Sequence, residues 1–165
     1  FPDDQQIISD MNPKYYGGFQ NQLVYKNWKL DFLFQFVNQK NRNIPTNAAG
    51  SMTNQSVRMI DSWKSEGDQA RYQLYTTGVN SAAINTNTLF SKSDAFIEDA
   101  SFIRLKNISL SYDVPLNLKE TQCQIMLQAQ NLLTFTKFKD GDPEFITHGY
   151  LPPLKIISAA VQLTF

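Results

Sequence analysis

Apolar and polar residues alternate along five stretches of this 165-residue chain. The clearest is 28–37. Trp28, Leu30, Phe32, Phe34 and Phe36 fall on one side, and Lys29, Asp31, Leu33, Gln35 and Val37 fall on the other. A period of two is what a β-strand with two unlike faces produces. Upstream, Phe19, Asn21, Leu23 and Tyr25 share a side and Gln20 and Gln22 take the other, which predicts a strand over about 18–25. Lys26-Asn27 is left as a short connection. A third strand is expected over about 102–114, where Ile108, Leu110, Tyr112 and Val114 oppose Ser109, Ser111 and Asp113. Pro115-Leu116-Asn117-Leu118 then reads as a turn, since Pro cannot continue a central strand. In the fourth stretch, about 121–133, Gln122, Gln124, Gln128 and Gln130 line one side with Met126. Cys123, Ile125, Leu127 and Ala129 line the other. The fifth, about 154–165, places Ile157, Ala159, Val161, Leu163 and Phe165 on one parity.

The connections alternate in length. Links 26–27 and 115–120 are short, and 38–101 and 134–153 are long. Short turns at one end and long loops at the other are the habit of outer-membrane barrels. Within the first long loop, Met52, Ser56, Met59, Ile60 and Trp63 have helical spacing and Gly67 offers a stop, so a short helix is expected over 52–65. A ten-residue strand is about 33 Å long and, tilted by about 40°, spans about 25 Å, the height of an outer-membrane apolar band.

Alternation alone fits two folds. In a secreted soluble β-sandwich, binding polymers through its aromatics, the apolar face is the core. In a membrane barrel that face meets lipid and the polar face lines the lumen. Three details favour the barrel. The polar sides hold amides and hydroxyls where soluble surfaces prefer Lys and Glu. The apolar side of the second strand is nearly all aromatic. Tyr25, Trp28 and Tyr112 sit at strand ends, where a ring suits a membrane interface. Five strands do not close a barrel, and open edges in lipid are costly. The barrel reading therefore makes this segment the last part of a larger protein.

Composition removes other classes. Charged residues are 18% and the formal net charge is zero, which excludes the basic surface of a nucleic-acid binder. One Cys and one His leave no disulfide framework and no multi-His metal centre within the chain. The start at Phe1-Pro2 holds no signal peptide. No apolar run is long enough for a transmembrane helix. Asp140, Asp142 and Glu144 have oxygen ligands suited to Ca²⁺, but without the grammar of a known site they read as a solvated acidic loop. His148 reads as a loop residue and Cys123 as a small hydrophobe. Arg104 and Lys106 fit a polar ligand or a structural contact near the rim, and Trp63 fits helix packing or a sugar ring. No catalytic, cofactor-binding or metal constellation emerges, so neither an enzyme nor a cofactor is expected.

Several motifs in order carry a family resemblance. Asn12-Pro13-Lys14-Tyr15-Tyr16-Gly17-Gly18-Phe19, with Tyr25-Lys26-Asn27-Trp28, resembles a stretch near the end of SusC/RagA-type TonB-dependent outer-membrane transporters. So do Glu98-Asp99-Ala100-Ser101-Phe102-Ile103-Arg104-Leu105-Lys106-Asn107, then Gln130-Asn131-Leu132-Leu133-Thr134-Phe135-Thr136-Lys137-Phe138, Asp142-Pro143-Glu144 and the terminal Gln162-Leu163-Thr164-Phe165. The departures are small. Ile103 replaces a common Leu, Ser111 a common Gly, and Gly141 lies one place early. The resemblance implies an all-β fold, with residues 1–165 forming the last five antiparallel strands of a 22-stranded transmembrane barrel in the bacterial outer membrane. Loops 38–101 and 134–153 would be extracellular. It also implies a SusD-like lipoprotein lid, TonB acting through a part not present here, outer-membrane lipid around the wall, and oligosaccharide or peptide cargo. Gln122, Gln124, Gln128 and Gln130 would line the lumen. Val161, Leu163 and Phe165 would be the signal read by the barrel assembly machinery.

Overall fold

The computed structural model describes residues 9–42, 50, 52, 54–116, 121–139, 141–145 and 151–165. Along them run β1 (Tyr15–Tyr25), β2 (Trp28–Asn38), β3 (Lys40–Arg42), α1 (Ser81–Ser91), β4 (Ile97–Asp99), β5 (Phe102–Val114), β6 (Gln122–Thr136) and β7 (Ile156–Thr164). Five of the strands form one antiparallel sheet in the order β1-β2-β5-β6-β7, and β3 and β4 form a separate two-stranded sheet. The large sheet is open: β1 and β7 each keep one edge without a neighbouring strand among the described residues. The chain divides into two compact units. One holds the large sheet, in Met11–Lys40 and Asp99–Phe165. The other is Asn41–Glu98 with residues 9–10.

In the sheet unit, β1 and β2 meet at the two-residue turn Lys26-Asn27. Lys26 has φ 52°, the left-handed conformation that tight hairpin turns require. Asn27 sews the turn to β5: its Nδ2 donates to the Asp113 carbonyl at 2.8 Å, and the Asp113 N–H donates to the Asn27 carbonyl at 2.9 Å. The strands differ from the expected ranges at their ends. β1 reaches back to Tyr15, β6 runs on to Thr136 and β7 starts at Ile156.

The parity of β5 changes within the strand. Leu33 pairs with Asn107 but Phe34 pairs with Leu105, so Lys106 is an extra residue on β5. A bulge of this kind re-aims the side chains on either side of it. It keeps Ile103 and Leu105 on the face of Ile108 and Leu110, although their numbers differ in parity. Opposite the bulge, Asn131 of β6 has φ 51°, a conformation Asn tolerates better than most residues. Near the far end of the first hairpin the Phe36 ring lies on Gly17, where a Cβ would come within 2.6 Å of Phe36 Cζ. A side chain at 17 would displace that ring.

The helix expected over 52–65 is not formed in the described residues of that stretch. They hold a 3₁₀ turn, Val57–Asp61, whose N-cap Ser56 accepts from the Arg58 N–H at 3.3 Å. Met52, Val57 and Ile60 are exposed there. Helical spacing without a surface to bury it gives no stable helix, because packing supplies most of a helix's stability. Gly67, with φ 94°, belongs to a turn at 64–68 instead. The Asp68 carboxylate accepts from the Lys64 and Ser65 N–H groups, both at 3.0 Å, and those two bonds hold its pKa below the usual carboxylate range. The short loop helix is α1, further along. Asn80 caps it by accepting from the Ala83 N–H at 3.0 Å. Its C-terminal Phe90 packs edge-on against buried Phe96, which stacks on buried Tyr72. These rings are the core of the loop unit.

Candidate functional site: two faces of one sheet and a buried ion cluster

The register sorts the sheet's side chains into two faces. One is apolar. Across its middle lie Asn21, Phe32, Ile108, Ala129 and Ile157, paired strand to strand. One end carries Tyr25, Trp28 and Tyr112, with the Trp28 and Tyr112 rings 4.5 Å apart. The other end carries Tyr15, Phe36, Ile103 and Phe135. From Tyr15 to Tyr25 is ten steps, about 34 Å along the strand and about 26 Å after a tilt of about 40°. Between the two aromatic rows this face carries no Asp, Glu, Lys or Arg among the described residues. Nothing among the described residues covers it: Phe19 is 54% exposed, Leu127 50% and Val161 66%. An uncovered apolar area of this extent marks a surface that meets lipid or another chain.

The opposite face is polar. β6 contributes Gln122, Gln124, Gln128 and Gln130, with Met126 among them. Their partners across β5 are polar too: Ser111 sits opposite Met126, Ser109 opposite Gln128 and Asn107 opposite Gln130. Gln124 Nε2 donates to Asp113 Oδ1 at 2.7 Å. On β1 and β2, Gln22 Nε2 donates to Asp31 Oδ2 at 3.3 Å. Most donors and acceptors of this face are therefore neutral amides and hydroxyls.

Arg104 is the buried charge of this face, with a side chain only 1% exposed. Its guanidinium meets two carboxylates from the segment after β6. Nη2 donates to both Asp142 oxygens, at 2.7 and 2.6 Å, and Nη1 donates to Glu144 Oε2 at 2.6 Å. Nε donates to Thr134 Oγ1 at 3.0 Å, and the plane lies 5.1 Å from the Phe102 ring centroid. The extra residue at the bulge, Lys106, joins the same group, with Nζ 3.2 Å from Glu144 Oε2. A buried charge persists only when paired and hydrogen-bonded, and each polar group of the Arg104 side chain has an acceptor here.

The loop unit carries an open cleft of about 570 Å³. Trp63, Tyr72 and Phe90 supply rings, and Arg71, Gln73 and Asn80 supply polar groups. Arg71 is already engaged, donating to the Ala95 carbonyl at 3.2 Å and pairing with Glu98 at 3.3 Å.

No protein-family model matches the chain. Two curated relatives do, both from Formosa agariphila. TonB-dependent receptor P3 is 32% identical over 147 residues, 86% of this chain and 14% of the relative. TonB-dependent receptor P26 is 29% identical over 157 residues, 89% of this chain and 15% of the relative. Among solved structures, that of the RagAB peptide transporter superposes with a TM-score of 0.71 at 26% identity, over 98% of this chain and 18% of that one. The RagAB peptide importer in its closed-closed state gives 0.70 at 26% identity. The chain is a SusC/RagA-like segment of a TonB-dependent receptor barrel. It spans about one seventh of the length of the curated relatives it matches. Those relatives and neighbours are named receptors and transporters rather than enzymes.

Within this TonB-dependent receptor segment the structure places the candidate residues as follows. The four glutamines share the polar face. Val161 and Leu163 lie on the apolar side of β7, and Phe165 follows its last residue, fully exposed. Asp142 and Glu144 are neither solvated nor gathered around a cation site. They are the partners of Arg104, the residue for which the sequence left a ligand and a structural contact both open. In the sequence their meeting shows only as an Arg on a mostly uncharged face, with Lys106 two residues on and two acids in a nearby loop. Cys123 is half-buried among aliphatic residues. Trp63 is half-buried in the cleft of the loop unit, and not on a helix. Asp140 and His148 lie outside the described residues. Among the described residues no group of His, Cys, Asp or Glu is placed to hold a metal ion.

Proposed function

We propose that this chain is part of the wall of a bacterial outer-membrane transporter that imports oligosaccharides or peptides. The apolar face meets lipid, and the polar face, with Gln122, Gln124, Gln128 and Gln130, faces the interior. Connections 38–101 and 134–153 lie outside the cell, where a SusD-like lipoprotein lid meets the barrel. TonB energises transport through a part of the protein not present in this chain. The observation that supports this most directly is the uncovered, uncharged apolar face bounded by aromatic rows about 26 Å apart, which matches the apolar band of an outer-membrane barrel. A soluble sandwich would need a second large sheet over that face, and the described residues supply none. Amide side chains on the other face suit sugars and peptide backbones alike. The name of the RagAB peptide transporter lends weight to peptides.

The test is uptake by the native host with and without the gene for the full-length protein, using fluorescent oligopeptides and oligosaccharides. Loss of uptake of one cargo class is expected and identifies it. Unchanged uptake of both overturns the import reading. A second element of the proposal concerns Val161, Leu163 and Phe165 as a signal for barrel assembly, through main-chain pairing of β7 with a partner's sheet edge. Deleting Phe165 in the full-length protein should lower the heat-modifiable barrel recovered from outer membranes. An undiminished amount removes that role.

A further inference from the structure

We propose that Arg104 ties residues 141–145 down as a fixed strap over the polar face of the sheet. The strap has two independent anchors. The first is the ion cluster, in which Asp142 and Glu144 close on Arg104 at 2.6 Å and Glu144 also reaches Lys106 at 3.2 Å. The second lies at the end of β2, where Gln39 Nε2 donates to the Pro143 carbonyl at 2.5 Å. Gln39 is itself buried and held: its N–H donates to Ser101 Oγ at 3.2 Å, and its carbonyl accepts from the Ala100 N–H at 3.0 Å. Consecutive residues 142, 143 and 144 are thus gripped by side chains from two strands or their ends.

The strap is also folded upon itself. Asp142 Oδ1 accepts from the Glu144 N–H at 2.9 Å, and the Asp142 carbonyl accepts from the Phe145 N–H at 3.2 Å. The same carboxylate therefore makes the turn and binds Arg104, so the turn and its anchor form together. Arg suits this better than Lys, because three nitrogens fixed in one plane reach separate acceptors: Nη2 meets Asp142, Nη1 meets Glu144 and Nε meets Thr134, where Lys offers a single nitrogen. Lys106, two residues on from Arg104, adds a second cation on the same side of β5, as period two requires. A loop held this way is a permanent part of the wall rather than a mobile gate. On the proposed import function, which the strap itself does not need, it narrows the interior beside the glutamine row at all stages of transport.

Amide hydrogen exchange on the full-length protein in detergent tests this, comparing wild type with Arg104→Met and Gln39→Ala. In wild type, peptides covering 141–145 exchange slowly for a loop. In Arg104→Met the two carboxylates escape to water, and exchange in that segment speeds up at least tenfold while β5 and β6 keep their protection. In Gln39→Ala, which leaves the ion cluster intact, it speeds up by roughly fivefold, the loss of one neutral hydrogen bond. The second variant decides the matter if the first yields no folded barrel. Unchanged exchange at 141–145 in a folded variant overturns the strap. An equal rise across β5 and β6 also overturns it, since Arg104 would then serve the sheet as a whole. Neither outcome depends on cargo or uptake, so failure of the strap and failure of the import reading are separable.

Discussion

Ala129→Arg in the full-length protein should remove about 2–4 kcal/mol of stability in a bilayer, while Gln128→Arg should change it by no more than about 1 kcal/mol. The two residues are neighbours on β6 and point to opposite faces. Ala129 sits between Ile108 and Ile157, in the row midway between the two aromatic rows. If that face meets hydrocarbon, a guanidinium there must be desolvated or must drag water and headgroups inward, and the cost grows with depth. Tyr25, on the same face at the row beside the hairpin turn, supplies the control: Tyr25→Arg should cost only about 0–1 kcal/mol. A urea titration in liposomes, read by the heat-modifiable band, measures all three. Equal costs at Ala129 and Tyr25 would mean that depth does not matter, and lipid would be the wrong neighbour. A larger cost at Gln128 than at Ala129 would reverse the faces.

That experiment tests a property that was largely legible in the sequence. Period-two alternation in Trp28–Phe36 and in Gln122–Gln130 placed each residue on a face before any register was known, because a strand offers side chains only two directions. What alternation hid was the slip in β5. Ile103 and Leu105 have odd numbers and Ile108 and Leu110 even ones, yet all four share a face because Lys106 bulges out. A bulge has no reliable local signal; it is fixed by both neighbouring strands at once. The loop helix failed for a different reason. Met52, Met59 and Ile60 have helical spacing, but spacing matters only where a surface receives it. The segment that does fold as α1, Ser81–Ser91, is rich in Ser, Thr and Asn and advertises itself only through the Asn80 cap. The Arg104 cluster was half legible. Its residues stood out as charges in a chain poor in them, but β6 and its turn separate Arg104 from Asp142 by 38 positions, and only the fold brings them together.

Replacing both carboxylates while keeping their shape should expose what that cluster contributes. Asp142→Asn with Glu144→Gln leaves Arg104 in the sheet, nearly free of solvent, with neutral acceptors in place of two charges. Removing the partner of a buried ion pair costs about 3–5 kcal/mol, because the remaining charge stays desolvated. The strap can limit this cost by lifting away and admitting water, so about 3 kcal/mol is expected. Adding Arg104→Met to the same protein removes the stranded charge. Its long apolar side chain still fits over Phe102, 5.1 Å from the guanidinium carbon in the native protein. The triple variant should therefore recover most of the loss, to within about 1 kcal/mol of wild type, as buried ion pairs replaced by packed apolar groups commonly do. The same urea titration reads both proteins. A double variant as stable as wild type would mean that Arg104 needs acceptors but no charge. A triple variant no better than the double would mean that the lost stability lay in the fit of Asp142 and Glu144 rather than in an unpaired guanidinium. The proposed pattern is a deep loss followed by rescue, because the cluster is strong as a complete set and costly in any part.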